Sequence, residues 1–156
     1  MDAIDTKILQ SLQSEGQMSM SRLSERVGLS LSACHRRVKI MESSGMIAGY
    51  AARLDRMKIG LELQIFIEIK IISTRQEDIE AFEAAITDMP EILECHLISG
   101  EFDYLVRVAS RDTRAYEHLY RNRLSRIPSV SEMKTLLTVS TVKEFSGFHL
   151  EANSTL

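Results

Sequence analysis

From Leu61 to Ile71 every second residue is aliphatic: Leu61, Leu63, Ile65, Ile67, Ile69 and Ile71. Between them stand Glu62, Gln64, Phe66, Glu68 and Lys70. A period of two places these sets on opposite faces of one extended strand. Such a branched aliphatic face has to be covered, so the stretch demands a sheet with a layer packed on it. Upstream of Gly60 the period is different. Ile4, Ile8 and Leu12 recur at every fourth position, with Leu9 widening the stripe. That spacing predicts an amphipathic helix from Asp2 to Ser14, ended by Glu15-Gly16. The change of period at Gly60 divides the chain into a helical head, residues 1–60, and a body, residues 61–156. With 156 residues, 44% of them hydrophobic, two small cores are within reach.

The head continues with a short helix from Ser21 to Val27, a Gly28-Leu29 turn, and a third helix over Ser30 to Ser44. Ser30 suits an N-cap and Gly45 a left-handed C-cap. In the third helix Cys34, Val38 and Met41 share one face, and Leu31 lies at its edge. Ser32, Arg36, Lys39 and Ser43 fall opposite. A helix, a glycine turn and a second helix with a small, polar, basic outer face fit a DNA-reading helix-turn-helix. The same pattern also fits an ordinary helical hairpin. Ile8, Leu12, Leu23, Val27, Leu29 and Val38 form the expected head core. GMIAGYAARLDRMKIG then leads out as a wing or hinge, with a strand expected over Tyr50–Leu54.

In the body, Thr74 with Glu77 suggests a capping box for a helix reaching about Asp88, stopped by Pro90. Strands are expected over Ile92–Ser99 and Asp103–Ala109, joined by a short link containing Gly100. A helix capped by Asp112 or Thr113 follows, ending at Pro128, with Tyr116, Leu119, Tyr120, Leu124 and Ile127 inward. A last strand is expected over Met133–Val142. Phe145, Phe148 and Leu150 let part of the tail dock, and Asn153–Leu156 read as loose. The order β-α-β-β-α-β is the ferredoxin-like split, so the fold class is α+β. Both helices cover one sheet face. The other, carrying Leu97 and Leu136, calls for a second copy of the chain, and a two-fold dimer presents two heads to two half-sites.

Charge separates the same two regions. Residues 1–60 carry nine Lys/Arg and six Asp/Glu, whereas residues 61–156 carry ten and sixteen. A basic head on an acidic body suits an anionic partner at one end. Several chemistries find no support. Cys34 and Cys95 are far apart and without metal-ligand spacing, so they read as buried reduced thiols. None of His35, His96, His118 and His149 has a partner at i+4, so no metal and no cofactor is implied. Cys95 and His96 are sequential in a strand and point to opposite faces, which rules out a nucleophile–base pair. Ile65 to Ile72 is too short and too charged to cross a membrane. A cytoplasmic protein that is not an enzyme is the expectation.

Several segments also resemble one family. They are IDTKILQSLQSEG, LSERVGLS followed by Cys34 and RVK, GMIAGY, and ECHLISGEFDYLVRV. They are similar to the leucine-responsive/asparagine (Lrp/AsnC, feast/famine) transcription regulators, in the right order over nearly the whole chain. The resemblance implies a winged helix-turn-helix domain and a ferredoxin-like domain for effector binding and oligomerisation. It implies double-stranded DNA as partner, and a homodimer assembling further, often to an octamer. The implied effector is an amino acid bound where dimers meet, acting through oligomeric assembly. The DNA candidates are Arg22, Ser32, His35, Arg36, Arg37 and Lys39. By the resemblance the effector would touch Leu97, Ser99, Gly100, Glu101, Asp103 and Tyr104, with Ser125, Leu136 and Thr138 from facing elements. Read on its own, the Gly100–Asp103 link only turns a hairpin. Gly100 would let backbone N–H groups approach a carboxylate, and Asp103 or Glu101 could pair with an ammonium group. Two positions depart from the family. Leu31 stands where a helix-opening proline is common, and Ile40 where a basic residue is common. Sirohaem decarboxylases resemble the same family and are the rival; they would need a histidine and arginine cluster in the body, and no such cluster is evident.

Overall fold

The computed structural model of the chain describes residues 1–151. It separates into two compact units, each with its own core. One unit holds Met1–Arg53 together with the described tail, residues 143–151, and the other holds Leu54–Val142. Gly60 lies in the second unit, and the segment after Val142 packs on the helices of the first.

The head contains α1 (Ala3–Ser14), α2 (Met20–Val27) and α3 (Leu31–Ser43). Each begins at a side chain that satisfies an otherwise orphaned backbone N–H. Asp2 accepts from the Asp5 N–H at 2.8 Å, and the Asp5 side chain returns to the Asp2 N–H. Ser19 and Ser30 accept from the Arg22 and Ala33 N–H groups at 3.3 Å. Between α2 and α3, Gly28 takes φ +73°, a left-handed conformation that closes α2 without a Cβ penalty. Ile8, Leu9, Leu23, Val27, Cys34, Val38 and Met41 are buried together. Leu12 and Leu29 join at the margin, as does Leu150 from the tail. The tail is fastened by two glutamines of α1. Gln10 donates to the Leu150 carbonyl at 2.9 Å, and the Gln13 side chain accepts the Phe148 N–H at 2.7 Å. The expected strand at Tyr50–Leu54 is absent; this stretch is irregular and offers no edge pairing. Asn153–Leu156 lies outside the described residues.

The body contains β1 (Leu63–Ile71), α4 (Gln76–Thr87), β2 (Ile92–Leu97), β3 (Tyr104–Ser110), α5 (Thr113–Asn122) and β4 (Val130–Leu137). The sheet order is β2-β3-β1-β4, with every neighbour antiparallel. Ile65, Ile67 and Ile69 of β1 pair with Val108, Val106 and Tyr104 of β3. All six lie under the helices, which contribute Phe82, Ile86 and Leu119, completed by Met89, Leu124 and Ile127. The alternation that opened the sequence is therefore the floor of this core.

Local details differ from expectation. Thr74 caps nothing: α4 starts one residue later, and Asp78 receives the Ser73 and Ser129 hydroxyls instead. These bonds hold the Asp78 carboxyl below its ordinary range. α5 ends at Asn122, and a 3-10 turn over Leu124–Arg126 carries Leu124 and Ile127 inward. Tyr120, expected inside, is exposed. Leu97 pairs with Tyr104, which sets it on the helix side of the sheet rather than the open one, but at the strand end it stays exposed. Leu136 pairs with Phe66 and does lie on the open face.

Candidate DNA-reading helix and effector loop

The burial of Cys34, Val38 and Met41 turns the opposite side of α3 to solvent. Ser32, His35, Arg36 and Lys39 are all exposed there, on the second helix after the Gly28 turn. Their surroundings set them different tasks. Arg36 is exposed, and no carboxylate pairs with it among the described residues. Its planar fork is open for bidentate bonding. Lys39 is paired with Glu42 at 2.7 Å, and Glu42 also accepts from the Tyr50 hydroxyl at 3.0 Å. Those two hydrogen bonds, Lys39 first, hold the Glu42 carboxyl low. The pair is exposed, so its strength is slight and a phosphate can compete for Lys39.

Arg37 lies elsewhere. One helical step from Arg36 turns it by about 100°, away from the reading face. Its guanidinium meets Asp2 at 2.6 Å and Asp5 at 2.7 Å. The Asp5 N–H and then the Arg37 guanidinium keep the Asp2 carboxyl below the usual carboxylate range. Arg37 thus ties α3 to the capped start of α1, a structural assignment made by residues more than thirty positions upstream. Arg22 lies on α2 and pairs with Glu15 at 2.5 Å, while Arg26 reaches the same carboxylate at 3.3 Å. Leu31 and Ile40, the two departures from the family pattern, flank the reading face and are about half exposed.

The loop between β2 and β3 is fastened to the end of β1. The Asp103 N–H donates to the Ile69 carbonyl at 3.0 Å, and the Asp103 carboxylate accepts the Ile71 N–H at 2.9 Å. Asp103 is therefore occupied in joining the hairpin to β1. Ser99, Gly100 and Glu101 stand exposed at the tip. Tyr104 does not reach the loop surface. It is buried, its ring tilts against Phe82 at 4.5 Å, and its hydroxyl donates to Glu83 at 2.8 Å. Burial, then the bonded carboxylate, push its pKa up to about 12.

The nine effector candidates do not converge within one chain. The loop sits at the Ile69–Ile71 end of β1. Leu136 pairs with Phe66, and the Thr138 N–H donates to the Gln64 carbonyl, at the other end. About 20 Å of strand separates the two ends. Ser125 follows α5, its hydroxyl turned to the Arg121 carbonyl at 3.0 Å. The alternation Tyr104-Val106-Val108 could have revealed that Tyr104 is a core residue. Nothing local could have revealed the Arg37 anchor. Among the described residues no group of histidine, cysteine and carboxylate side chains could hold a metal ion, and no helix is long and apolar enough to cross a membrane.

Comparison with known proteins finds two matching domains. Residues 1–48 match the winged helix-turn-helix DNA-binding family model, and residues 64–148 match the Lrp/AsnC ligand binding domain. The proline dehydrogenase transcriptional activator of Rhizobium radiobacter is 40% identical over 144 residues, covering 92% of both chains. The leucine-responsive regulatory protein of Escherichia coli K12 is 39% identical over 144 residues, covering 92% of this chain and 88% of that one. Two crystal structures are similar throughout. A transcriptional regulator from Neisseria meningitidis, solved as its L-Met complex, has a TM-score of 0.88 at 35% identity, covering 92% of this chain and 93% of its own. An AsnC family regulator from Agrobacterium tumefaciens has a TM-score of 0.90 at 30% identity, covering 96% and 97%. With its helix-turn-helix head, its four-stranded body and relatives that are named as regulators, the chain belongs to the Lrp/AsnC family of DNA-binding transcription regulators.

Proposed function

We propose that this regulator answers to an amino acid that binds between copies of the chain and acts by changing their assembly. The carrying observation is the separation of the candidate effector residues. Ser99, Gly100 and Glu101 lie at one end of β1, whereas Leu136 and Thr138 lie at the other. A small ligand spans only a few ångströms, so the loop of one copy must meet the strand end of another if both groups touch it. The L-Met complex of the Neisseria meningitidis relative makes an amino acid the first ligand class to test. The open sheet face supports pairing of copies: Phe66, Leu105 and Leu136 lie there beside the Arg107–Glu94 and Lys134–Glu68 pairs. A dimer through this face, joined to others up to an octamer, supplies the interfaces such a site needs. Its place of action is the cytoplasm, beside the DNA.

In the head, Arg36 reads a base edge, Ser32 and His35 line its approach, and Lys39 and Arg22 contact phosphate. Arg37 serves the same helix indirectly, by fixing its angle to α1.

The test is a thermal-shift screen of the common amino acids, beginning with L-Met and L-Leu. It is followed by sedimentation and DNA binding across a titration of any that bind. A ligand that binds only the folded protein raises the melting temperature. It should also change assembly size, because a ligand with equal affinity for two assemblies shifts nothing. Stabilisation with unchanged assembly and unchanged promoter occupancy would refute the proposal.

A further inference from the structure

The body is acidic, yet its cations are gathered in one place. Residues 61–156 contain ten Lys/Arg, and five of these, Arg111, Arg114, Arg121, Arg123 and Arg126, fall within residues 111–126. Only Asp112 and Glu117 oppose them in that segment. Asp112 is engaged in capping α5, accepting the Ala115 N–H at 2.7 Å. Glu117 pairs with Arg121 at 2.9 Å in full view of solvent, and Arg123 is paired with Glu91 at 2.9 Å. Arg111 and Arg114 have no carboxylate partner among the described residues and, with His118, line one shallow hollow of about 300 Å³.

The helix arranges these groups as a stripe. Arg114, His118 and Arg121 stand at i, i+4 and i+7, opposite the buried Leu119. Arg111 extends the stripe beyond the first turn. The ten residues of α5 span about 15 Å, the axial length over which one strand of duplex DNA presents about four phosphates. A small anion would meet exposed arginines beside the Asp112 carboxylate in a wide hollow, where single ion pairs are weak. A polyanion gains from every cation along the stripe, through release of its condensed counterions.

We propose that the outer face of α5 is a second DNA-binding surface, one that holds phosphates and reads no sequence. The proposal rests on the DNA-binding role of the head and adds the body to it. Phosphates held by Arg111, Arg114 and Arg121 would add to those held by the heads, and affinity would grow as the duplex is lengthened.

The experiment measures binding of random-sequence duplexes of ~20 and ~150 base pairs against salt concentration, since non-specific binding reports phosphate neutralisation directly. The full chain is compared with Arg111→Gln/Arg114→Gln/Arg121→Gln and with the corresponding triple Lys variant. All three positions are exposed, so the melting temperature should not move. On the long duplex the Gln triple should lower the slope of log K against log salt by about one unit for each phosphate no longer neutralised. The Lys triple should restore it, because phosphate attraction follows charge. An unchanged long-duplex slope and affinity in the Gln triple would overturn the proposal while leaving the head's role intact. A loss that lysine does not reverse would also overturn it. So would stabilisation of the wild type by inorganic phosphate, abolished in the Gln triple, with DNA binding unaffected. A wild-type chain that bound neither duplex would overturn the head's role as well.

Discussion

The head and the body are completed in opposite ways. The head is built from three short helices, each closed by its own cap, and it borrows its last apolar neighbour from the tail. Its polar groups are allocated one by one: Arg37 to α1, Arg22 to Glu15, Lys39 to Glu42, and Arg36 to no carboxylate among the described residues. The body is built from a ladder of β-branched pairs under two helices, and it leaves one whole sheet face uncovered. A reading head can be complete in one chain because its partner, DNA, comes from outside. The sensing through assembly proposed for the body would need surfaces left for other copies, and its ligand residues would not have to meet in one chain.

This contrast can be broken most forcefully in the body core. Phe82 is fully buried and packed on Tyr104, so Phe82→Ala should cost about 3–5 kcal/mol in denaturant unfolding. Val38→Ala, in the smaller head core, should cost less. Equal losses would mean that the two cores unfold as one. The next effect separates neighbours on α3. Arg36→Ala should weaken operator binding by about 1–3 kcal/mol and relax one base position, with the melting temperature unchanged. Arg37→Ala should do the reverse, lowering the melting temperature while site preference persists. If Arg37→Ala alone relaxed the preference, the anchor assignment would be wrong.

A smaller effect sharpens the contrast at the loop. Asp103→Ala leaves the Ile71 N–H without its acceptor, and the loss should be about 1 kcal/mol of stability. Glu101→Ala, at the exposed tip, should leave stability alone and shift the effector concentration needed for a change in assembly. Matching shifts from both variants, without destabilisation by the first, would show that Asp103 touches ligand. The mildest test is alkaline. Burial pushes Cys95 to about 11, and burial with the Glu83 bond pushes Tyr104 to about 12. Both are raised above their unfolded values of 9.0 and 10.0. Their contribution is complete below pH 9 and is lost as the pH climbs toward 11–12, because the unfolded chain releases the protons first. Unfolding followed from about pH 8 to about pH 12 should show that decline, and Tyr104→Phe should flatten its upper part.

Much of the fold was legible because its determinants are local. The period of two in β1, the Ser30 cap and the glycine at position 28 all act within a few residues. What escaped was non-local or competitive. The helical period sets Arg37 apart from Arg36, but its tie to Asp2 and Asp5 is visible only in the fold. Thr74 has a suitable capping pattern, but Asp78 gathers Ser73 and Ser129 and the helix starts later. At the effector loop the residues could be named through family resemblance. Their distribution over both ends of β1 required the strand register.

The docking of the tail bears on synthesis. Gly147 passes so close to Gln13 that a Cβ there would lie 2.8 Å from the Gln13 side-chain oxygen, and its φ of +123° also favours glycine. The fit belongs to the head, although the body is encoded between the two touching segments. During translation α1–α3 leave the ribosome first, and the strap that closes over α1 leaves only after the body. The nascent head therefore waits, with the flank of α1 uncovered, until the whole body has been made. A truncation that removes Gly147–Leu150 therefore acts on the DNA-binding unit, not on the body that precedes this strap.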